Sequence, residues 1–537
     1  MMLPDQPWPV RASLPPLPAT SFDALLDAIA ARRPERPVLS GCDPHAIAPA
    51  WTSLTGRQLL HAVSAAAALL QQHGQVAPGD RVAWLGLNHP LQIVLLFALA
   101  RIGAVGVPLN HRLSAAEWAA VLDDCSPVLL LADDAHAAAA TALHARRNGL
   151  RQVMPLQALH NPQAAQSGGT ADASSGRVPA LRNPLLLVYT SGTTGQPKGA
   201  VHTQGNLLSN MAIAAQVQGL SPADTVLTVL PLFHVGGLCI QTLPALAAGA
   251  HVLLHARFDA GATLASIATD RPTLTLQVPA TLQALTQHPR WASTDLSSLR
   301  AVWAGSSLLP TEPVQHFHTR GVPVCNVYGS TETGPFSIAL PSSHALSHTG
   351  SCGWPAPGVE VQLSDASGAE TGANEVGEVW VRAPNVVTHY WPDRPALDAT
   401  GFFHTGDLAR RAPDGSHTVV GRAKDMIISG GENIYPAEIE NLLVELPWVA
   451  ECAVIGLPDV RWGETVVAVV ALRNDAPAPP EDWPGACAQH LDGRLARYKW
   501  PRRWHRLETL PKTALGKVQK TELQRQLSDP PATGAWP

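Results

Sequence analysis

The stretch LLLVYTSGTTGQPKGAVHT, residues 185–203, decides how the rest of the chain is read. An apolar run stops at Tyr189, and small or polar residues follow as far as one lysine, Lys198. Backbone so bare serves to bring N–H groups against an anion. Three hydroxyls (Ser191, Thr193 and Thr194) precede Gly195 and add donors directly after a buried strand. A Walker A loop needs G-x-x-x-x-G-K-[ST]. Here Pro197 stands where the second glycine belongs and Gly199 follows the lysine, so the Walker reading fails. A phosphate still fits.

The bulk properties set bounds around that loop. At 537 residues the chain exceeds what one hydrophobic core usually supports, which predicts at least two domains. Apolar residues make up 46% and charged residues 15%, as in a globular protein with large buried interiors. A net charge of −5 with no long basic block gives no electrostatic case for nucleic acid. The seven cysteines are scattered without metal spacing, which favours a reduced, cytoplasmic protein over a disulfide scaffold. The start, MMLPDQPWPVRASLPP, lacks the charged-then-apolar layout of a signal peptide. The most apolar segment, LQIVLLFALARIGAVGVPL, is broken by Arg101, Gly103, Gly106 and Pro108 and reads as a buried helix leading into a strand. The chain holds 31 arginines but six lysines (Lys198, Lys424, Lys499, Lys512, Lys517 and Lys520). Such a bias suggests lysine is kept where a compact ammonium does what a planar guanidinium cannot, or survives by chance.

Up to about residue 160, helical periodicity (DALLDAIAARRP, RQLLHAVSAAAALLQQHG) alternates with buried strands (DRVAWLGL, PVLLLADD). That alternation predicts an α/β architecture with covered sheets. NPQAAQSGGTADASSGRVP reads as a surface linker. The pattern resumes from 226 to 335, with strands ending in small or polar residues where loops gather around a ligand. Residues 350–421 are β-rich, with a hairpin signal at Asp414-Gly415. A smaller α/β unit begins near Lys424; in it Ile439, Leu442, Leu443 and Leu446 share one helical face after Pro436. The expected division is 1–423, 424–526 and a disordered tail over 527–537.

Further segments supply what a nucleotide site needs. NVYGSTETG sets Tyr328, Thr331 and Glu332 after an apolar strand, and a lone carboxylate among hydroxyls suits Mg²⁺ on phosphate. HTGDLAR puts Asp407 in a turn, suited to ribose hydroxyls. GRAKDMIISGGENIYPAEIE carries Arg422, Lys424 and a second glycine pair, and PKTALGKVQK places Lys517 in a short turn. Singly, each is equally a solvated turn acid or a surface charge.

In order and spacing, YTSGTTGQPKG, LPLFHVGG, NVYGSTET, TGD, GRAKDMIISGGENIYPAEIE and PKTALGK resemble the adenylate-forming superfamily of acyl- and aryl-CoA synthetases. The resemblance covers nearly the whole chain. It implies a large N-terminal domain of covered β-sheets plus a β-rich subdomain, followed by a small mobile α/β domain. It implies ATP, Mg²⁺ and coenzyme A. It also implies an ATP-dependent carboxylic acid–CoA ligase working through acyl-AMP. By resemblance, Thr190, Ser191, Gly192, Thr193, Thr194, Gly195 and Lys198 embrace the β- and γ-phosphates. Glu332 holds the metal, Thr331 meets the α-phosphate, and Asp407 with Arg422 holds the ribose. Gly305, Ser306, Ser307, Asn326, Tyr328, Gly329 and Ser330 border the nucleotide. Lys517 bridges the carboxylate and the α-phosphate, and the small domain turns about Lys424 between half-reactions. Ser429, Gly430, Gly431 and Glu432 then face the thiol, with Arg497, Lys499, Arg502 and Arg503 on CoA or forming a solvated basic face.

An aspartate beside the pocket marks amino-acid-activating relatives; here LFHVGG stands instead, which favours an uncharged acyl or aryl group. His234 gates that pocket, followed by Val235, Gly236 and Gly237. Its walls are Val278, Pro279, Trp303, Ala304, Gly329, Thr333, Gly334 and Pro335, with the glycines leaving room. Medium- or long-chain fatty acids, o-succinylbenzoate-like and hydroxycinnamate-like acids all stay open. Transfer to a carrier-protein thiol, a non-catalytic nucleotide-binding role and a homodimer also stay open.

Overall fold

The computed structural model describes residues 6–8, 12–43, 45, 52–146, 149–160, 180–191, 197–305, 309, 311–429, 432–473, 478–513 and 517–528. The expected linker over 161–179 lies outside them.

Two large mixed sheets form the first part of the chain. One runs, edge to edge, through His389–Tyr390, Pro197–Thr203, Pro184–Ser191, Val105–Leu109, Arg81–Leu85, Leu129–Ala132 and Gln152–Pro155, with Arg394–Pro395 beyond the first edge. The other runs from Trp354–Pro355 through Ile338–Ala339, Val324–Tyr328, Ala301–Gly305, Leu274–Gln277, Thr225–Thr228 and His251–His255 to Pro37–Cys42 and Thr52–Thr55. Their central strands, such as Arg81–Leu85 and Val105–Leu109 in one and Leu274–Gln277 and Ala301–Gly305 in the other, are parallel and mostly buried on both faces, which is why they read as continuous apolar runs.

The helix Pro90–Ile102 packs in one continuous core with strands of both sheets. From Pro90 to Leu99 every residue is buried, so the helix is apolar nearly all round until Arg101, which reaches out to Asp23. His89 caps its start by accepting from the Leu91 N–H, and Gly103 ends it in the left-handed region at φ 83°. No helix of the described residues is long and apolar enough to cross a membrane.

The β-rich stretch forms a four-stranded antiparallel sheet in the order Glu360–Ser364, Val376–Arg382, Phe403–Arg411, His417–Arg422. Asp414 and Gly415 turn the last hairpin as expected, with Gly415 at φ 85°. Asp407 departs from expectation. It lies inside the strand Phe403–Arg411, where Gly406 at φ 71° and a register shift after Leu408 bend the ladder.

After Arg422 the chain builds a second sheet from Glu432–Ile434, Ile427–Ser429, Gly463–Leu472, Val449–Asp459 and Arg503–Leu507. Alternate residues of VVAVVA face opposite cores. Val466, Ala468 and Val470 meet helices Pro436–Leu443 and Trp483–Leu491, while Val467, Val469 and Ala471 meet Lys520–Ser528. Ile439, Leu442, Leu443 and Leu446 share the first core, as the periodicity predicts. The last helix takes in Leu527 and Ser528, which corrects the expected start of the tail at 527; residues 529–537 lie outside the described residues.

Three of the six lysines are ion-paired within this unit: Lys499 to Glu438, Lys512 to Glu451, and Lys520 to Glu440 at 2.7 Å. Their ammonium groups brace a fold, which corrects the idea that every retained lysine does chemistry. The seam with the larger part is wet. An open groove of about 780 Å³ runs between Gln283 and Gln287 on one side and Glu451, Arg473 and Lys512 on the other. Two ion pairs also cross between the parts: Arg473, which lines the groove, with Glu312 at 3.7 Å, and Arg410 with Glu438 at 3.6 Å.

Leu95 is fully buried between the layers. Leu95→Ala should cost about 2–5 kcal/mol of stability, read as a lower midpoint in denaturant unfolding. A midpoint equal to that of the parent chain would contradict the placement of this helix.

Candidate active site

The loop that opened the sequence reading is closed by two antiparallel strands, Pro184–Ser191 and Pro197–Thr203, with Thr190 opposite Lys198 and Ser191 opposite Pro197. A Walker A loop runs from strand into helix, so this hairpin gives a structural reason for the failed match. Residues 192–196, including Gly192, Thr193, Thr194 and Gly195, lie outside the described residues. The hairpin is tightly packed below the loop. A Cβ on Gly199 would stand 2.7 Å from Leu187 Cδ1, and the Tyr189 hydroxyl donates to the Asp124 carboxylate. Lys198 Nζ stands 5.9 Å from the centroid of the Tyr390 ring.

Glu332, in the turn after the strand Val324–Tyr328, meets the same tyrosine. Its Oε1 accepts from the Tyr390 hydroxyl at 2.9 Å, and its carbonyl accepts from Val387 N–H at 2.8 Å. The Ser330–Thr333 turn is closed by side-chain bonds in both directions. Asn385, fully buried, donates to the carbonyls of Thr333 (2.7 Å) and Phe336 (3.2 Å). Asn206 in turn donates to the carbonyls of Pro384 and Val386. Thr331 is buried beside Glu332.

Among the described residues no group of three or more His, Cys, Asp or Glu could hold a metal ion. That donor set still fits Mg²⁺, which commonly takes one or two protein carboxylates and completes its shell with substrate phosphates and water. The lone Glu332 carboxylate could serve as such a ligand.

A third corner is built by Tyr328, Asp407 and Arg422. The Tyr328 hydroxyl donates to Asp407 Oδ2 at 2.9 Å, and Arg422 Nε donates to Oδ1 at 2.8 Å. Asp407 and Arg422 are opposite one another across the bent hairpin. Burial and the adjacent Asp407 push the Tyr328 phenol well above its usual pKa, so it stays a donor. Lys517 comes to the same corner from the small unit. Thr513 N–H donates to its carbonyl at 2.8 Å, closing the turn expected there. Burial of its ammonium and the Arg422 charge lower its pKa, against the opposite pull of Asp407 and Asp425. Tyr328, Asp407 and Arg422 are in direct contact, and the Lys517 ammonium is within electrostatic reach of Asp407 and Arg422.

The acid side is organised around His234. Its Nδ1 accepts from Gly236 N–H at 3.0 Å, which leaves the ring proton on Nε2; burial pushes its pKa down to about 4. The chain then runs through a π-helical turn, Gly236–Thr242. Such turns leave carbonyls displaced from the ordinary ladder. Here Asn210 donates to the Cys239 carbonyl and Gln218 to the Ile240 carbonyl, both at 2.7 Å. Asn88 locks the approach, accepting from Leu232 N–H and donating to the Leu230 carbonyl.

Several expected residues sit differently. The glycines do not open space: a Cβ on Gly237 would lie 2.3 Å from Pro231 O, on Gly329 1.7 Å from Pro335 O, and on Gly334 2.7 Å from Asn385 O. They let backbones touch. Trp303 and Ala304 lie in the core, with the Trp303 ring against Phe336 at 5.9 Å. Val278 starts the helix Pro279–Gln287. Asn326 turns its amide away, to the Ser351 carbonyl and Cys352 thiol. A Cβ on Gly305 would lie 2.4 Å from Val327 O; Ser306, Ser307, Gly430 and Gly431 lie outside the described residues. Of the basic residues assigned to CoA, Arg502 donates to Ser429 Oγ at 3.0 Å, and Arg497 is exposed over Trp500. Lys499 is held by Glu438 and is not a free cation. Tyr390, Asn88, Asn206 and Asn385 were not foreseen. None stands in a motif-like stretch, and each acts across a long sequence separation.

The chain matches the AMP-binding enzyme family model over residues 26–391 and the AMP-binding enzyme C-terminal domain over 438–517. It is 44% identical to an indoleacetate–CoA ligase of Aromatoleum aromaticum, over 88% of this chain and 93% of that protein. It is 40% identical to a feruloyl-CoA synthase of an Amycolatopsis species, over 90% of this chain and 96% of the other. Among solved structures, it resembles o-succinylbenzoate CoA synthetase of Bacillus subtilis in complex with its acyl-adenylate intermediate. The TM-score is 0.79 at 29% identity, covering 94% of this chain and 98% of that one.

Three fully buried histidines, His202, His255 and His417, have pKa values pushed down to about 4 by burial. Unfolded, they titrate near 6.5. Below that pH the unfolded chain binds protons the folded chain refuses, so stability present above pH 6.5 is lost as pH falls toward 4. Each contributes up to about 1.4 kcal/mol per pH unit inside that window. The melting temperature should therefore fall steadily from pH 6.5 to 5, and a flat profile would contradict their neutral burial.

Proposed function

The chain belongs to the AMP-binding enzyme family, as an ATP-binding, AMP-forming acid–thiol ligase that makes acyl- or aryl-CoA. We propose that its acid is an aryl acid of the arylacetate or hydroxycinnamate kind, joined to coenzyme A. The observation that carries this reading is the pair of relatives at 44% and 40% identity, named for indoleacetate and ferulate. The neutral His234, whose pKa burial pushes down to about 4, supports it by offering no charge of its own to the acid's side group.

The residues divide the chemistry by charge. A carboxylate is a poor acyl donor, and it must approach a triphosphate that repels it. Positive charge and fixed donors at the meeting point are the main catalytic requirement. The acid oxygen forms a bond to the α-phosphorus as the bond to the β-phosphate oxygen breaks, and pyrophosphate departs. Lys198 holds the departing end. Lys517 neutralises the carboxylate and α-phosphate as they join, and Thr331 donates to that phosphate. Asp407, fixed by Tyr328 and Arg422, accepts from the ribose hydroxyls. Mg²⁺ at Glu332 would neutralise charge on the phosphates when bound. In the second step the CoA thiol, losing its proton, attacks the acyl carbon, and AMP leaves as the C–O bond breaks.

Lys517 and the Ser429–Glu432 turn belong to one small unit and serve different steps, so the unit turns about Lys424 between them. The expected extents are 1–423 for the large domain and 424–526 for the small one. Lys517→Ala should lower acid-dependent ATP–pyrophosphate exchange by roughly 10²–10³-fold, the scale of one preorganised charge donor. Thioester formation from supplied acyl-AMP should fall far less; equal losses in both would sink the two-arrangement reading.

A pyrophosphate-release panel tests the substrate. Indoleacetate, phenylacetate, ferulate and coumarate should exceed octanoate and palmitate in kcat/KM by at least about tenfold, the scale of one well-filled pocket contact. A fatty acid at the top of the panel would overturn the aryl reading. Exchange without thioester on adding CoA would point to a carrier-protein thiol as acceptor.

A further inference from the structure

Tyr390 lies between two groups that the proposed reading assigns to opposite ends of the phosphate chain. Its hydroxyl donates to Glu332 Oε1 at 2.9 Å, and its ring centroid is 5.9 Å from Lys198 Nζ. The contact spans 58 residues along the chain. Three anchors fix this side chain. Tyr390 pairs with Ala200 in the short edge strand His389–Tyr390. The next residue, Trp391, donates its backbone N–H to the Gly199 carbonyl at 2.7 Å and its indole N–H to the Asp124 carbonyl at 3.1 Å. The Arg81 guanidinium stacks over the Trp391 ring at 5.2 Å. The edge strand is thus clamped to the hairpin that carries Lys198, while the Tyr390 hydroxyl reaches the other sheet.

A carboxylate that serves as the sole protein ligand of a metal has one soft degree of freedom, rotation about its own axis. A hydrogen bond to one oxygen removes that freedom and turns the other oxygen toward the ion. An ammonium over an aromatic face is likewise held without using up its N–H donors, which stay available to a phosphate. From these contacts we propose that Tyr390 is a positioning residue for adenylation. Its hydroxyl orients Glu332 toward a divalent cation, and its ring holds Lys198 toward the leaving phosphates. The inference rests on the roles proposed above for Glu332 and Lys198, and it adds a residue that sets the spacing between them.

The test separates the two halves of the side chain. Tyr390→Phe keeps the ring and loses the hydroxyl. It should weaken Mn²⁺·ATP binding, followed by electron paramagnetic resonance titration, by about tenfold, the low end for loss of a partner to a metal ligand. The Mg²⁺ concentration for half-maximal exchange should rise in parallel, while pyrophosphate binding in metal-free buffer stays as in the parent. Tyr390→Leu should weaken pyrophosphate binding by a further two- to fivefold. In a Glu332→Gln background, Tyr390→Phe should have no additional effect on Mn²⁺·ATP. Parent-like Mn²⁺·ATP affinity in Tyr390→Phe overturns the proposal, as does an equal loss with Glu332 already replaced. A drop in melting temperature with unchanged metal affinity would make Tyr390 a mere strut and also overturn it. The Mn²⁺ titration needs no acid, so it judges Tyr390 even if the aryl-acid panel fails.

Discussion

The ion pair between Asp407 and Arg422 is the point on which the arrangement of this molecule turns. It joins two strands of the antiparallel sheet, and the Tyr328 hydroxyl adds the end of a parallel strand from a different sheet. Lys517, from the later α/β unit, comes within electrostatic reach of the same charges. A single carboxylate therefore fixes an aromatic ring and a guanidinium from different strands and attracts an ammonium from a third part of the chain. Were Asp407 removed, Arg422 would lose its partner and the Lys517 ammonium would keep only the pull of Asp425 against the repulsion of Arg422 and Lys424.

Around that point, buried amides do for the loops what sheets do for strands. Where parallel strands end, carbonyls are left without a ladder, and burying them unpaired would be costly. Asn88, Asn206, Asn210, Gln218 and Asn385 each donate to such carbonyls, and between them they fix the approach to His234, the π-helical turn and the rim beside Glu332. The glycines of the rim complete the device by letting backbones meet closer than any side chain would allow. The described loops of the site are thus packed much like core.

This division explains what was readable in advance. Strands buried on both faces announce themselves as apolar runs, so both large sheets, the helix Pro90–Ile102 and the small α/β unit were legible. The clustering of Tyr328, Asp407, Arg422 and Lys517 was legible through resemblance, because the motifs keep their order. Asp407 was misplaced into a turn, since a glycine before an aspartate reads the same way in a turn and in a bent strand. The pocket glycines were misread because a missing Cβ looks the same whether it admits a ligand or a neighbouring backbone. Tyr390 was invisible: a two-residue strand has no period, and its partners lie in other segments. Lys499, Lys512 and Lys520 were overread, because rarity cannot tell an ammonium that braces from one that reacts.

The seam between the large and small parts has a consequence of its own. Each part keeps its own apolar cores, and the small sheet is covered on both faces by its own helices. What crosses the seam includes Arg473–Glu312, beside a wet groove, and Arg410–Glu438, both longer than ideal and open to water. Exposed pairs of this kind contribute about 0–1 kcal/mol each and weaken as counter-ions accumulate. These ion pairs are forces that dissolved salt weakens, while the apolar cores on either side are indifferent to it. Ionic strength, not packing, is the medium's handle on how firmly the two parts hold together.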